Sequence, residues 1–282
     1  MKAYLELVDR VLKNGVRKKN RTGIDTISSF AENYRVDLEE GFPLLTTKKV
    51  PFRSVILELL WYLRGEDHIR WLRDENNCHI WDAWADENGY VGPIYPVMWR
   101  RFPYFEEEDV KLDGNAGRVN KSVTNKKEYD QIARAIDMLR EQPESRRIVV
   151  SAWHPGLLHE MALPPCHVMF IFNVSNGRLN CHLTQRSGDI ALGIPFNLAC
   201  YSALTMTVAK LANLKPGVFA HTIVDAHIYV NHIEGLEKQL QREPRTLPEL
   251  RISSKDIDEL TLEDFELLNY EPHPKIPFEV AV

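Results

Sequence analysis

Cys166 is the residue whose neighbours most favour nucleophilic chemistry. It follows Pro164-Pro165, a stiff pair that leaves the start of a strand unpaired, so that the thiol can be exposed. Arg186, which the hairpin described below brings close, would favour the thiolate, the nucleophilic form of cysteine. Most cysteines are nevertheless buried and structural. The local sequence therefore leaves both a catalytic and a structural role open.

Glu58 interrupts the apolar run 55–61. Helical spacing places it on one face with Val55, Trp61 and Tyr62. Burial on that face would raise the pKa of the carboxyl group and suit it to proton transfer. An exposed glutamate at the edge of the helix fits the pattern equally well.

Four arginines form a candidate phosphate site: Arg21, Arg146, Arg147 and Arg186, the last followed by Ser187. Guanidinium groups and hydroxyl groups match the oxygens of a phosphate. A surface salt bridge is the ordinary role of any single arginine. The closeness of Arg186 to Cys166 weakens that explanation for Arg186.

Asn197 follows Pro195-Phe196 and begins an apolar run that predicts a central helix over residues 197–213. An amide at this position can cap the helix. It can also recognise the edge of a pyrimidine, because an amide carries both a donor and an acceptor. Three other polar residues beside apolar runs are open to a binding role or to a satisfied core or cap position. They are Asp189, His227 and Tyr229.

Trp81 and Trp84 lie in the segment Ile80-Trp81-Asp82-Ala83-Trp84. Tryptophans are more often core residues than platforms for a cofactor, and the segment alone does not separate the two roles. The sequence contains no Walker loop, GxGxxG, HExxH or GxSxG motif. Their absence argues against the familiar nucleoside triphosphate, dinucleotide, zinc-protease and serine-hydrolase sites.

Composition excludes further classes of function. The chain has 282 residues, 44% of them hydrophobic, which is enough for a sizeable core. Its formal net charge of −5 provides no global positive field, so we expect no nucleic acid to be required. The apolar stretches are too short for a bilayer, and residues 1–15 lack the layout of a signal peptide. We therefore expect a cytoplasmic protein with no membrane partner.

The four cysteines are Cys78, Cys166, Cys181 and Cys200, and none forms a CxxC motif. Reduced thiols are expected, because a chain of this size does not need disulfides. Cys166-His167 and Cys181-His182 could suggest a metal site. Adjacent residues on a strand point to opposite faces, however, so the sequence predicts no metal.

A β-hairpin is the clearest element that would position these groups. Segments 168–174 and 178–185 are strand-like and flank Asn176-Gly177, a strong signal for a two-residue turn. Taken literally, this turn pairs Ser175 with Arg178.

The same register brings the candidate nucleophile to the candidate phosphate ligands. It places Cys166 opposite Ser187 and His167 opposite Arg186, with Gln185 beside them. A slip by one residue is possible. Either register brings the two segments together.

Other elements follow from hydrophobic spacing. The predicted helices are residues 1–15 with Tyr4, Leu5, Val8 and Leu12 on one face, a run from Pro51 to about Leu63, a helix with Tyr129, Ile132, Ile136 and Leu139, and a helix with Ile233, Leu236 and Leu240 after the segment 225–229. Residues 148–153 predict a buried strand. Residues 104–128 are mostly polar and are interpreted as a surface excursion. Helices and strands do not repeat as βαβ units, so the predicted class is α+β.

Together these segments resemble the thymidylate synthase family, in the family's order and over nearly the whole chain. The segments that carry the resemblance are Asn20–Gly23, Thr46–Lys48, Glu58–Trp61, Ile80–Asp86, Gly92–Tyr95, Ser145–Arg147, Val150–Trp153, Leu163–His167, Gln185–Asp189, Leu192–Asn197, Asp225–Tyr229 and Ala281-Val282. The segment at about 104–128 departs from the resemblance and looks like an insertion.

The resemblance implies one catalytic domain over residues 1–282, with a large mixed, twisted sheet and flanking helices. It also implies a homodimer whose sheets pack back to back. Its small-molecule partners would be dUMP and 5,10-methylenetetrahydrofolate, the latter as a cosubstrate.

The resemblance also implies a role for each matching residue. The catalytic set would be Cys166, Glu58, Tyr95, His167, Arg186, Asp189 and Asn197. The nucleotide would be held by Arg21, Gln185, Arg186, Ser187, Asp189, Asn197, His227 and Tyr229, with Arg146 and Arg147 donated across the dimer interface. The folate would meet Lys48, Ile80, Trp81, Trp84, Asp189, Leu192, Gly193, Phe196 and Val282.

The implied reaction begins with addition of Cys166 to C6 of the uracil and ends with dTMP and dihydrofolate. The family usually has Gly-x-Gln-Trp-Arg after the tyrosine, a tyrosine at position 184 and a glycine at position 224. Here Pro96 and Met98 change the first segment, and Thr184 and Val224 occupy the other positions. The alternative activity is a dUMP hydroxymethylase, in which water traps the intermediate. A non-catalytic nucleotide-binding paralogue is a third hypothesis.

Overall fold

The computed structural model describes residues 1–107 and 123–280. Its helices are α1 (Lys2–Asn14), α2 (Phe52–Arg64), α3 (Tyr95–Arg100), α4 (Gln131–Glu141), α5 (Gly193–Leu211) and α6 (Ile233–Leu240). Its strands are β1 (Val16–Lys18), β2 (Thr26–Asp37), β3 (Phe102–Glu107), β4 (Val123–Tyr129), β5 (Val149–Ser151), β6 (His167–Ser175), β7 (Arg178–Asp189), β8 (Lys215–Tyr229), β9 (Glu249–Ile252) and β10 (Phe265–Leu268). In these two ranges, no helix combines the length and the apolar character needed to cross a bilayer.

A six-stranded sheet with the order β1-β2-β8-β7-β6-β5 forms the centre of the fold. β7 and β8 run parallel, whereas the other neighbouring strands of this sheet run antiparallel. Parallel neighbours need a long crossover, and α5 provides it between β7 and β8. This mixed sheet with flanking helices confirms the α+β prediction.

α5 covers one face of the sheet. On β7, every second side chain from Leu179 to Gln185 is buried, as the two-residue period of a strand requires. α5 itself is buried on nearly all sides, which confirms the prediction of a central helix. The end of β7 leads directly into the start of α5, so the polar residues at these two ends lie together.

The hairpin prediction is confirmed at its turn. Asn176 and Gly177 have φ angles of 52° and 71°, the left-handed conformation that a tight hairpin turn requires. The predicted pairing of Ser175 with Arg178 is present, and the same register continues to Met169 and Thr184.

The register then changes at a β-bulge just before the candidate nucleophile. His167 pairs with Gln185, and the backbone N–H of Arg186 donates to Cys166 O at 2.9 Å. The predicted positions of Cys166 opposite Ser187 and of His167 opposite Arg186 are therefore wrong by one residue. A bulge inserts an extra residue on one strand, which the turn sequence does not reveal.

α5 begins at Gly193, earlier than the predicted start at Asn197. The residue that precedes the first turn is Leu192, and it makes no side-chain cap. Asn197 thus lies inside the helix, and the capping role considered for it is wrong.

α1 and α2 are confirmed, with one change in the buried stripe of α1. Tyr4 and Val8 are buried as predicted, but Leu5 and Leu12 are only half-buried. Leu7 and Val11 complete the stripe instead. The helix is therefore rotated relative to the predicted face.

Two elements near α4 differ from the prediction. α4 contains the predicted apolar residues except Tyr129, which lies in β4 because the Asp130 side chain accepts from Ala133 N at 2.9 Å and caps the helix. β5 is shorter than the predicted strand 148–153. The Gln131 amide bonds both N and O of Ser151 on the outer edge of the sheet, while Ala152 N still donates to Val168 O of β6 at 2.9 Å.

The polar segment 104–128 includes regular structure. β3 and β4 pair antiparallel, beginning with Phe102 opposite Tyr129. The described flanks of this segment thus form a strand pair, and its interpretation as a surface excursion stays a prediction. Residues 108–122 of the predicted insertion lie outside the described residues.

Gly92 allows two loops to approach closely beside the candidate site. Its φ is 77°, and a Cβ there would lie 2.1 Å from Glu160 O. The adjacent Val91 O accepts from Ala162 N at 3.0 Å. This contact ties the loop before Tyr95 to the segment that leads to Cys166.

We predict that Gly92→Ala lowers the melting temperature at least twice as much as Gly177→Ala. Both glycines have positive φ, which costs an alanine about 1 kcal/mol. Only Gly92 adds a clash, because no described atom lies within 4 Å of a Cβ at Gly177. Thermal unfolding of both variants would show this difference, and equal shifts would contradict the close approach.

Candidate active site

Cys166 lies directly before β6, and Arg186 on β7 holds its segment. Arg186 Nε donates to Pro165 O at 3.0 Å, and Nη2 donates to Pro164 O at 2.7 Å. The thiol is half-buried, whereas Cys78, Cys181 and Cys200 are buried. Of the four cysteines, Cys166 is thus the one that combines partial access with an adjacent guanidinium group.

Burial raises the pKa of the Cys166 thiol, while the positive charges of Arg186 and Arg21 act to lower it. The expectation that Arg186 favours the thiolate is correct in sign, but desolvation is larger in the unliganded chain. The thiol is therefore mostly protonated at neutral pH, and the two arginines reduce the cost of forming the nucleophile.

Tyr95, the first residue of α3, lies against the backbone of the candidate nucleophile. Its hydroxyl oxygen accepts from Cys166 N at 2.7 Å and from His167 N at 3.4 Å. Its ring packs against the His167 ring, with centroids 4.7 Å apart. Burial raises the pKa of Tyr95 well above its usual value, so the phenol is neutral and its own proton is available to donate.

Glu58 is buried in α2, with only 8% of its surface exposed. Trp81 Nε1 donates to Glu58 Oε1 at 2.9 Å. Burial raises the pKa of the carboxyl group to about 7, opposed in part by hydrogen bonds from Trp81 and Tyr62. The prediction that Glu58 is buried and that burial raises its pKa is confirmed. The alternative of an exposed glutamate at the edge of the helix is wrong.

Aromatic rings connect Glu58 to the cysteine. The Trp81 ring lies 5.5 Å from the Trp84 ring and 6.0 Å from the Tyr95 ring, measured between centroids. Trp81 is a core residue, whereas Trp84 and Ile80 are half-buried. Trp81 thus has the core role considered for it, and Trp84 packs partly against the core, while a cofactor-binding role for the segment stays a prediction.

Asn197 on α5 contacts the end of β7. Its Oδ1 accepts from Gln185 Nε2 at 3.1 Å, and both side chains are buried. Burial lowers the pKa of the neighbouring His167 to about 3, with partial opposition from Asn197. His167 is thus a neutral polar group at neutral pH, not a charge.

Asp189 shapes the turn between β7 and α5. Its Oδ1 accepts from Ala191 N at 2.8 Å and from Leu192 N at 3.4 Å. Lys48 is buried beside this turn: its ammonium group donates to Ala191 O and lies 4.6 Å from the centroid of the Phe278 ring. Burial lowers the pKa of Lys48 to about 8, which the Asp189 charge partly offsets.

The turn also presents residues assigned to the folate. Leu192, Gly193 and Phe196 are half-buried at the start of α5. Val282, assigned to the same site, lies outside the described residues.

His227 and Tyr229 lie on β8 next to the end of β7. Ser187 pairs with Asp225 and Asp189 with His227, so both strands end at the same site. The rings of His227 and Tyr229 are 5.4 Å apart between centroids.

Arg21 approaches this end of the sheet from an exposed loop. Its charge acts on the pKa values of both Tyr229 and Cys166. Arg146 and Arg147 are also exposed, just before β5. Among the described hydrogen bonds and ion pairs, none links Arg146 or Arg147 to Arg21, Arg186 or Ser187.

The departures from the family pattern fit the fold. Pro96 occupies the first turn of α3, where a missing backbone N–H is tolerated. Met98 is buried in the same helix. Thr184 pairs with Met169 next to the bulge, and Val224 is exposed on β8. In the described part of the chain, no group of three or more His, Cys, Asp or Glu side chains could hold a metal ion.

Sequence reasoning did not select Tyr34 or His221, although both join the buried polar network. His221 Nε2 contacts Gln185 Oε1 at 2.9 Å, and His221 Nδ1 contacts the Tyr34 hydroxyl at 2.9 Å. The available signal was the alternation of Phe219, His221 and Ile223, which places a histidine on the apolar face of a strand.

We predict that Glu58→Gln changes how stability depends on pH. The raised pKa means that the folded protein holds this proton more tightly than the unfolded chain, so wild-type stability falls as the pH rises from about 4.5 to about 7. The loss amounts to about 3 kcal/mol. Glu58→Gln should have about the same free energy of unfolding as the wild type near pH 5 and should be the more stable of the two at pH 8.

Thermal unfolding across this pH range measures the effect, and Glu87→Gln, an exposed position, is the control. A difference between wild type and Glu58→Gln that does not change with pH would contradict the raised pKa.

The comparison with known protein families agrees with this arrangement. The family model described as thymidylate synthase matches residues 2–282. That family carries out folate-dependent one-carbon transfer to dUMP. The chain belongs to the thymidylate synthase family.

Proposed function

We propose that this chain converts dUMP and 5,10-methylenetetrahydrofolate into dTMP and dihydrofolate, with Cys166 as the nucleophile. The observation that carries the proposal is the contact between the Tyr95 hydroxyl and the backbone of Cys166, beside the guanidinium group of Arg186. A sulfur nucleophile, a proton-carrying hydroxyl and a positive charge lie within one small region, as covalent catalysis requires.

The phosphate of dUMP would bind where positive charge and hydroxyl groups meet. Arg21 acts electrostatically on Cys166, and Arg186 and Ser187 lie next to each other on β7. The guanidinium groups of Arg21 and Arg186 and the hydroxyl group of Ser187 suit phosphate oxygens. Arg146 and Arg147 of the partner subunit would complete this site.

The base and sugar of dUMP would lie where β7 and β8 end and α5 begins. Asn197 would hydrogen-bond the uracil, held by Gln185 at 3.1 Å. His227 and Tyr229 would bind the deoxyribose hydroxyl. Asp189 would keep the turn before α5 in place through its bonds to Ala191 N and Leu192 N.

The reaction then needs an electron-rich C5. Addition of the Cys166 sulfur to C6, with loss of the thiol proton to water, creates it, and hydrogen bonds from Asn197 stabilise the charge that develops on the carbonyl oxygen at C4. C5 would then bond to the methylene carbon of the folate, and the C5 proton would pass to water, directly or through Tyr95 as it gives up its own proton. Breaking the bond between that carbon and the folate would leave an exocyclic methylene. Hydride from the folate would reduce it to a methyl group as the Cys166–C6 bond breaks. Glu58, with a pKa of about 7, exchanges protons with water near the base. Neutral His167 packs against Tyr95 and keeps its ring in position.

The cosubstrate has a fitting apolar surface. Ile80, Trp84, Leu192 and Phe196 are half-buried, and a flat heterocycle stacks well on such side chains. Bound there, the folate supplies a one-carbon unit and a hydride. Lys48 supports this surface through Ala191 O, at the turn that carries Leu192 and Gly193.

Homodimerisation through the uncovered sheet face fits the exposed apolar side chains on its strands. Phe30 on β2, Val149 on β5 and Val224 on β8 are 82%, 42% and 37% exposed. Large apolar side chains exposed on a sheet are typical of an interface. Arg147 lies two residues before the start of β5, so an interface over the sheet would place it near the other subunit.

We predict that purified protein with dUMP and methylenetetrahydrofolate forms a nucleotide with the mass of dTMP, with a matching rise in dihydrofolate absorbance. Mass spectrometry of the product separates the alternatives. A product heavier than dTMP by one oxygen, without dihydrofolate, would identify the hydroxymethylase. No product, with dUMP binding intact, would identify the non-catalytic paralogue.

We predict that mixing Cys166→Ser and Arg146→Ala subunits restores activity. If arginines cross the interface, each heterodimer contains one intact site, so random mixing should reach about a quarter of wild-type activity. Cys166→Ser mixed with Glu58→Gln is the matched control, because both changes act within one subunit and leave no intact site. Equal activity in the two mixtures of confirmed heterodimers would contradict sharing.

A further inference from the structure

A single line of buried hydrogen bonds ends at the amide that would recognise the base. The Tyr34 hydroxyl lies 2.9 Å from His221 Nδ1, and His221 Nε2 lies 2.9 Å from Gln185 Oε1. Gln185 Nε2 lies 3.1 Å from Asn197 Oδ1. The line crosses the adjacent strands β2, β8 and β7 and finishes on α5. All four side chains are at most 6% exposed.

The donors in this line have one direction. Gln185 Nε2 also bonds the backbone carbonyl of Ser187 at 2.9 Å, and a carbonyl accepts but cannot donate. The amide nitrogen of Gln185 therefore faces Ser187 and Asn197, and its oxygen faces His221. That oxygen needs a donor, so His221 carries its proton on Nε2.

The tautomer of His221 then determines the role of Tyr34. Burial lowers the pKa of His221 well below its usual value, and the nearby His167 and His182 act in the same direction. A neutral imidazole with a proton on Nε2 has an acceptor at Nδ1. The Tyr34 hydroxyl donates to it, which holds this tautomer in place.

The consequence falls on Asn197. Because Gln185 donates to Asn197 Oδ1, the amide nitrogen of Asn197 must point away from Gln185. A freely rotating amide could match uracil, which offers a carbonyl acceptor and an N–H donor. After a half-turn it could match cytosine, which offers an amino donor and a ring-nitrogen acceptor. An asparagine distinguishes these bases only if its amide cannot turn.

We propose that Tyr34 and His221 are positioning residues that, through Gln185, lock the Asn197 amide and thereby set the preference for the uracil over the cytosine nucleotide. This inference rests on the proposed function, since it assigns base recognition to Asn197. It extends the site to two side chains that do not touch the substrate. A half-turn of the Asn197 amide would place its N–H donors against the N–H donors of Gln185. Two unpaired donors are costly in a buried place.

The test is the ratio of dissociation constants for dUMP and dCMP, measured by calorimetry without folate. His221→Leu removes the donor to Gln185 and should reduce the preference for dUMP about tenfold. His221→Gln replaces the lost N–H with an amide donor and should recover the ratio to within about threefold. Tyr34→Phe removes only the hydroxyl and should reduce the ratio by a smaller factor.

Melting temperatures identify variants that fold. An equal loss of affinity for both nucleotides in a folded His221→Leu protein would indicate a structural role and overturn the inference alone. If His221→Leu does not fold, an unchanged ratio in Tyr34→Phe overturns it. If the wild type binds neither nucleotide, both the proposed function and this inference are overturned. If it binds nucleotide but does not turn it over, the proposed enzymatic activity is contradicted and the inference about base preference stands.

Discussion

The bond network of Arg186 is the constraint on which the candidate site depends. Its guanidinium group binds the carbonyls of Pro164 and Pro165, and its backbone N–H binds Cys166 O. Prolines have no N–H, so a segment that contains two of them cannot be held by an ordinary ladder. Arg186 takes the place of that ladder and puts a positive charge beside the thiol. One side chain thus fixes both the position of Cys166 and part of its electrostatic environment.

Around this contact, burial outweighs charge. Burial is the largest influence on the pKa of Cys166, of Glu58, which reaches about 7, and of His167, which falls to about 3. At neutral pH, Cys166 and His167 are therefore mostly neutral and Glu58 is close to half ionised, beside the positive charges of Arg186 and Arg21. Such a site can accept a charged nucleotide and can move protons without large changes in solvation. The cost appears as reduced stability where an acid such as Glu58 is forced to ionise.

The sequence predicted much of this arrangement because local signals were strong. Asn176-Gly177 indicated a turn, and both residues have positive φ. Glu58 in an apolar run fitted burial and exposure equally well, and the packing of α2 in the fold decides for burial. The bulge before Cys166 was missed, since it results from how β6 meets β7 and leaves no local signature. The predicted start of α5 at Asn197 is too late, because glycine and proline disfavour a helix interior but are tolerated in its first turn, where Gly193 and Pro195 lie. Tyr34 and His221 are distant in sequence, and only the order of the strands brings them to Gln185.

Loss of the C5 hydrogen of dUMP offers the most direct test of Cys166 as the nucleophile. Both methyl and hydroxymethyl products require this hydrogen to leave, and it leaves only after sulfur has bonded to C6. With dUMP labelled at C5 and with folate present, wild type and Cys181→Ala should release label into water at similar rates. Cys166→Ser should release it at least about a thousandfold more slowly. Release by Cys166→Ser at the wild-type rate would contradict the account.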